Sequence, residues 1–250
     1  MRVAELWRFP VKSLQGEQLD DVTIGPHGIV GDRGYALFDA DTGFGLTARR
    51  APELLFASGR LRDDGSAAIT LPDGSIADDD EALSSWLGRS VLLRSTSDDV
   101  TRRYENPVDP EHEELSRWEP FDGAHGAFHD EPGASISLVS STTIAGWQTR
   151  RFRTNVVLGG EGVPDDTETS LLGLRVAVGD ARLDVGMEMG RCVMVTRPQA
   201  GGIDRDLDVL RAIHRGRHGR LGVGATVARQ GRVRVGDEIR TATPATPATP

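Results

Sequence analysis

The 250-residue chain has a single cysteine, Cys192, set in Met187-Glu-Met-Gly-Arg-Cys-Val-Met-Val-Thr196. A thiolate attacks electrophiles or binds a soft metal, and an adjacent guanidinium favours that form, so Arg191 bears directly on Cys192. Gly190 loosens the approach to the sulfur. Two other readings stay open. Adjacent strand residues face opposite sides, which would point Arg191 away. A lone cysteine also packs as a small apolar residue.

Three further clusters could bind an anion. In Phe9-Pro-Val-Lys-Ser-Leu14, Pro10 stops or edges a strand and leaves Lys12 and Ser13 at its rim. An ammonium beside a hydroxyl suits a phosphate oxygen, though an exposed strand-end lysine explains the same residues. In Gly28-Ile-Val-Gly-Asp-Arg-Gly34, glycines around Asp32-Arg33 permit a tight loop that would hold the guanidinium rigidly. Arg33 could grip a phosphate or a heterocycle edge with Asp32 orienting it, or the pair could only stabilise the loop. In Arg150-Arg-Phe-Arg-Thr-Asn155, period two puts Arg153 and Asn155 on one face, suited to a phosphate and a heterocycle. The alternative there is a solvated basic stretch.

Short strands must position these groups. Leu174, Val176 and Val178 alternate with polar or small residues, as do Ile136 with Leu138 and Val233 with Val235, so each run should bury one face. Turn signals such as Asp64-Gly65, Asp73-Gly74 and Gly179-Asp180 recur between such runs, which suggests closed or sandwiched sheets. Two helices are predicted, Asp80 to Leu87 with Gly88 as its stop, and Arg205 to His214 ending near Gly216. The acidic, Pro- and Gly-rich stretch from Asp98 to Gly133 reads as a long connection holding a domain boundary. The Thr/Ala/Pro repeat of residues 241–250 reads as a disordered, solvated tail.

Composition excludes several functions. One cysteine rules out an intramolecular disulfide and thiolate-rich zinc or iron–sulfur sites. A net charge of −9 opposes wholesale nucleic-acid binding. His125 with His129, and His214 with His218, have a metal-pair spacing only on a continuous helix, which Gly126, Gly216 and Gly219 argue against. There is no P-loop, and Gly222-Val-Gly224 is too weak to mean dinucleotide binding. The charged N-terminus and the lack of long apolar runs point to a cytoplasmic protein with no membrane partner.

Taken in order, the clusters resemble a known family. Phe-Pro-Val-Lys-Ser-Leu followed by Gly-Asp-Arg resembles the N-terminal β-barrel domain that precedes MOSC domains, modules named for the molybdenum cofactor sulfurase C-terminus. Arg-Phe-Arg-Thr-Asn-Val-Val resembles the family's Arg-Phe-Arg-Pro-Asn element, with Thr154 in the usual proline position. Gly-Arg-Cys with Thr196 resembles its metal-ligand loop, with Gly190 and Val195 as departures. Leu221-Gly-Val-Gly-Ala-Thr-Val, then Gly231-Arg-Val-Arg-Val-Gly-Asp237, resembles its final strands.

The resemblance implies a mainly β, α+β protein with a few short helices. A β-barrel-like N-terminal domain in residues 1–110 would precede a β-barrel MOSC domain in 111–240 and the tail 241–250. It implies a molybdenum–molybdopterin cofactor (Moco) ligated through Cys192, with Lys12, Ser13, Arg33, Arg153, Asn155 and Arg191 as cofactor-binding residues. Relatives reduce N-hydroxylated compounds, so a small-molecule substrate and a separate electron-donor protein are implied, the chain having no redox motif of its own. The same motif also suits a non-redox sulfur or cofactor carrier using a Cys192 persulfide.

Overall fold

The computed structural model describes residues 1–109, 112–113 and 115–244. Strands dominate, with two α-helices among the described residues. The largest sheet has eight strands in the spatial order Ile239–Pro244, Leu174–Val178, Ala181–Gly190, Arg220–Arg229, Ile136–Ser140, Val156–Gly159, Arg2–Arg8 and Glu17–Leu19. Its pairs are antiparallel except Ile136–Ser140 with Val156–Gly159, which run parallel with Leu138 opposite Val156. A parallel pair needs a crossover, and this one carries the Arg-Phe-Arg segment. The α+β class is as expected, but the sheets are not closed into barrels.

The first strand does not stay with the N-terminal half. Arg2–Arg8 lies between Glu17–Leu19 and Val156–Gly159, and Asp21–Gly25 pairs with Gly231–Arg234. One core therefore mixes Val3, Leu6, Val22 and Ile24 with Ile136, Leu138, Val176, Val185 and Val233. A second core gathers Val11, Leu14, Leu37, Leu54, Leu83 and Val91. A third packs Val139, Val157 and Phe152 against Val209 and Ile213.

Helix α1, Asp80–Leu87, begins where Asp79 accepts from the Ala82 amide at 2.8 Å and ends on left-handed Gly88. Such an N-cap contributes about 1 kcal/mol. Helix α2, Leu207–Arg217, starts at the Asp206 cap and runs through Gly216, so it is displaced from the expected Arg205–His214. Packing of Val209 and Ile213 outweighs the helix penalty of one glycine.

Three other expectations are corrected. Ile136–Ser140 is buried along its whole length, because it is central in the sheet and covered on both faces. The stretch read as a long connection folds into a hairpin of Arg103–Pro107 and Trp118–Asp122. The proposed tail starts as structure: residues 241–244 belong to the strand Ile239–Pro244, paired with Leu174–Val178, while 245–250 lie outside the described residues. Among the described residues no helix is long and apolar enough to cross a membrane.

Candidate functional site

Lys12, Ser13, Arg33, Arg153, Arg191 and Cys192 all line one cavity of about 520 Å³. That volume suits a small organic ligand. These six residues come from four separate stretches of sequence, so the fold, not local order, builds the cavity.

Lys12 and Ser13 follow the first strand, after Pro10. The Lys12 amide donates to Tyr35 O at 2.8 Å, which docks the segment against the strand Tyr35–Asp39. Lys12 is 6% exposed; its ammonium donates to Phe128 O at 3.1 Å, pairs with Asp130 and lies 4.9 Å from the centre of the Tyr104 ring. Ser13 Oγ accepts from the Ala48 amide at 3.0 Å, which leaves its own proton free to be donated.

Arg33 is clamped from both sides. Asp32 accepts from the Phe9 amide at 2.7 Å and from Asn155 Nδ2 at 3.1 Å, and it pairs with Arg33 Nη1. Arg33 Nη2 donates to Arg153 O at 3.0 Å. Arg153 itself donates to Leu14 O, and its guanidinium lies 4.5 Å from the centre of the Phe9 ring. Burial, then repulsion from Arg33, lowers the Arg153 pKa to about 9, against the pull of Asp130 and Asp32. Ser13, Arg33 and Arg153 have φ of 70°, 50° and 51°. Non-glycine residues in that region carry strain that persists only where surroundings fix it, and such strain gathers at functional sites.

The strand reading of Arg153 and Asn155 on one face does not hold. Arg153 caps the 3-10 turn Thr149–Phe152 in left-handed conformation, and the strand begins only at Val156. Asn155 does not line the cavity. It is 2% exposed and committed to Asp32, the Trp7 carbonyl, and the Ser137 amide and hydroxyl. Its place is beneath the site, where it fixes Asp32 and through it Arg33.

Cys192 is exposed at the cavity wall and opens the 3-10 turn Val193–Thr196. Arg191 turns its guanidinium into the wall: Nε donates to Leu221 O and Nη1 to Phe152 O, each at 2.8 Å. Nη2 is buried with no partner. Burial lowers the Arg191 pKa to about 10, with Cys192 and Glu168 acting to raise it and Arg33 to lower it. Arg151, which sequence reasoning left aside, supports the cysteine turn from below. It is buried, donating to Val195 O at 3.2 Å and Asp204 O at 2.7 Å.

Asp130 also lines the cavity and was not anticipated, since it falls in the supposed connection. Desolvation by the cleft wall acts to raise its carboxyl, but Lys12, by charge and hydrogen bond, with Arg33 and Arg153, holds it down at about 2. No local signal marks it, because its importance comes only from facing Lys12.

The arrangement can bind an anion at four donors and present one sulfur to a metal within the same cavity. A molybdenum–pterin phosphate fits this donor set: charged and hydroxyl donors for the phosphate and one free thiol for the metal.

Residues 1–101 match the MOSC N-terminal beta barrel domain, and residues 125–240 match the MOSC domain. No curated protein matches the chain. Among solved structures, the YuaD protein from Bacillus subtilis is similar at 16% identity and a TM-score of 0.43, with 95% of this chain and 93% of that one covered. YiiM from Geobacillus stearothermophilus is similar at 19% identity and a TM-score of 0.35, covering 57% of this chain and 73% of that one.

Proposed function

The chain belongs to the MOSC family, and on that premise we propose that its cleft holds a molybdenum–pterin cofactor with Cys192 as the protein ligand to the metal. The MOSC domain is a molybdenum-cofactor-binding type of domain. The observation that carries the proposal is the meeting of an exposed Cys192 with Lys12, Ser13, Arg33 and Arg153 in one cavity.

Lys12, Ser13, Arg33 and Arg153 would hold the phosphate, each donating from a position fixed by backbone bonds. Arg191 would stabilise negative charge at Cys192 from behind, since its guanidinium is tied to two carbonyls and cannot swing into the cavity. Asn155 and Asp32 would orient the donors from outside the cavity, and Arg151 would hold the cysteine turn from the cavity wall. When bound, the cofactor supplies two-electron oxygen-atom transfer. The reaction is the reduction of N-hydroxylated or N-oxide small molecules, with electrons from a separate reductase.

The test is elemental analysis and oxidised-pterin fluorescence on protein made in a host that synthesises the cofactor, followed by hydroxylamine turnover with an artificial electron donor. About one molybdenum per chain with turnover supports the reading. A persulfide on Cys192 with no metal would replace it with a sulfur-carrier function.

A further inference from the structure

Two carboxylates face the cationic group, and they are built differently. Asp32 is locked: its side chain is fully buried, and it accepts from the Phe9 amide, Asn155 and Arg33. The side chain of Asp130 is 84% exposed, and among the described residues it hydrogen-bonds only to Lys12. Asp130 also sits on residues 123–134, a stretch without helix or strand. Phe128 anchors that stretch just before it, packing on Phe38 and donating its amide to Arg33 O at 2.8 Å. A rotation of the Asp130 side chain would therefore free Lys12 without moving the anchor.

We propose that Asp130 is a tethered stand-in for the ligand's phosphate, occupying Lys12 until a dianionic group displaces it. The inference rests on the reading that the cleft takes a phosphate. Lys12 is buried but its partner carboxylate stands in solvent, where the pair is screened and the carboxylate is readily exchanged for another anion. A dianion that engages Lys12, Arg33, Arg153 and Ser13 together gains several charge-assisted bonds where Asp130 makes one. A ligand lacking the phosphate has nothing to offer in exchange, so the cleft selects phosphate-bearing ligands. The field of Lys12, Arg33 and Arg153 also keeps Asp130 ionised across the physiological range, so the stand-in is permanent and not switched by pH.

Calorimetric titration of the cofactor-free full chain with inorganic phosphate tests this. Asp130→Asn removes the internal competitor and should bind phosphate about five-fold tighter than the parent. Equal or weaker binding by Asp130→Asn overturns the stand-in while leaving the phosphate site in place. Phosphate that binds neither chain removes the stand-in and the cofactor reading together.

Discussion

Arg33 donates through Nη2 to the main-chain oxygen of Arg153, 3.0 Å away, across 120 residues of sequence. Both residues are in left-handed backbone, and both guanidinium groups lie over the Phe9 ring, at 5.1 and 4.5 Å from its centre. Two like charges are thus held on one aromatic platform by backbone that cannot relax. Such a pair is at its most stable with an anion between or beside its members.

Phe9 is the platform, 1% exposed and stacked on Trp7. Phe9→Ala should cost about 3–5 kcal/mol in chemical denaturation, the usual range for a buried phenylalanine. Pterin content should fall as well, since both guanidinium groups lose their support. A chain that keeps full cofactor after this change would show that the platform is not needed.

Arg153 pays for its position in backbone strain. Arg153→Gly relieves a left-handed residue, whereas Arg153→Ala keeps the strain. The glycine variant should be more stable than the alanine variant by about 1 kcal/mol. Both should lose cofactor to a similar degree, because the guanidinium is gone from each. Thermal melts beside pterin fluorescence separate the two effects.

Cys192 is exposed and makes no side-chain contact that the fold requires. Cys192→Ser should shift stability by no more than about 0.5 kcal/mol. Molybdenum content should drop to background. Metal retained at parental level would exclude the ligand role.

Gly222 has φ +78°, and a methyl there would stand 2.8 Å from Leu138 O and 3.2 Å from Arg191 Nη2. The main-chain oxygen belongs to a central strand and cannot retreat. Gly222→Ala should destabilise by about 1–3 kcal/mol and displace Arg191 from its wall. Denaturant midpoints measure the first effect, and the alkylation rate of Cys192, as the single thiol, reports the second.

His129 has a pKa lowered to about 4, first by burial and then by Arg33 and Lys12, with Asp32 and Asp130 opposing. The unfolded chain binds a proton on this ring near pH 6.5, the folded chain only near 4, so stability is lost as pH falls through that window. The parent should lose up to about 3 kcal/mol more than His129→Gln between pH 7 and 4. Parallel pH profiles for the two chains would place the ring's titration elsewhere.

Much of this architecture is legible from residue pattern. Leu174–Val178 alternates and is a strand, and Asp80–Leu87 has a cap, an apolar stripe and a terminal glycine and is a helix. The gathering of Lys12, Ser13, Arg33, Arg153 and Cys192 is also as their motifs suggest. Asn155 was misjudged because period two assumes an extended chain, and Arg153 leaves that path through a left-handed turn. Val235 was misjudged for a similar reason: the strand ends at Arg234, and Val235 is exposed beyond it. Asp130 carries no periodic or motif signal, and Arg151 opens the Arg-Phe-Arg element with nothing local to show that it faces the cysteine turn; both positions follow from long-range pairing that brings residue 12 to 130 and 151 to 195.

The placement of Arg2–Arg8 has a consequence for how the protein is made. This segment is translated about 150 residues before its neighbour Val156–Gly159. Until then the strand has only the short Glu17–Leu19 beside it, and its other edge waits unpaired. A nascent chain stalled before residue 156 should therefore be a client for chaperones, and slow synthesis would prolong the interval in which it can aggregate.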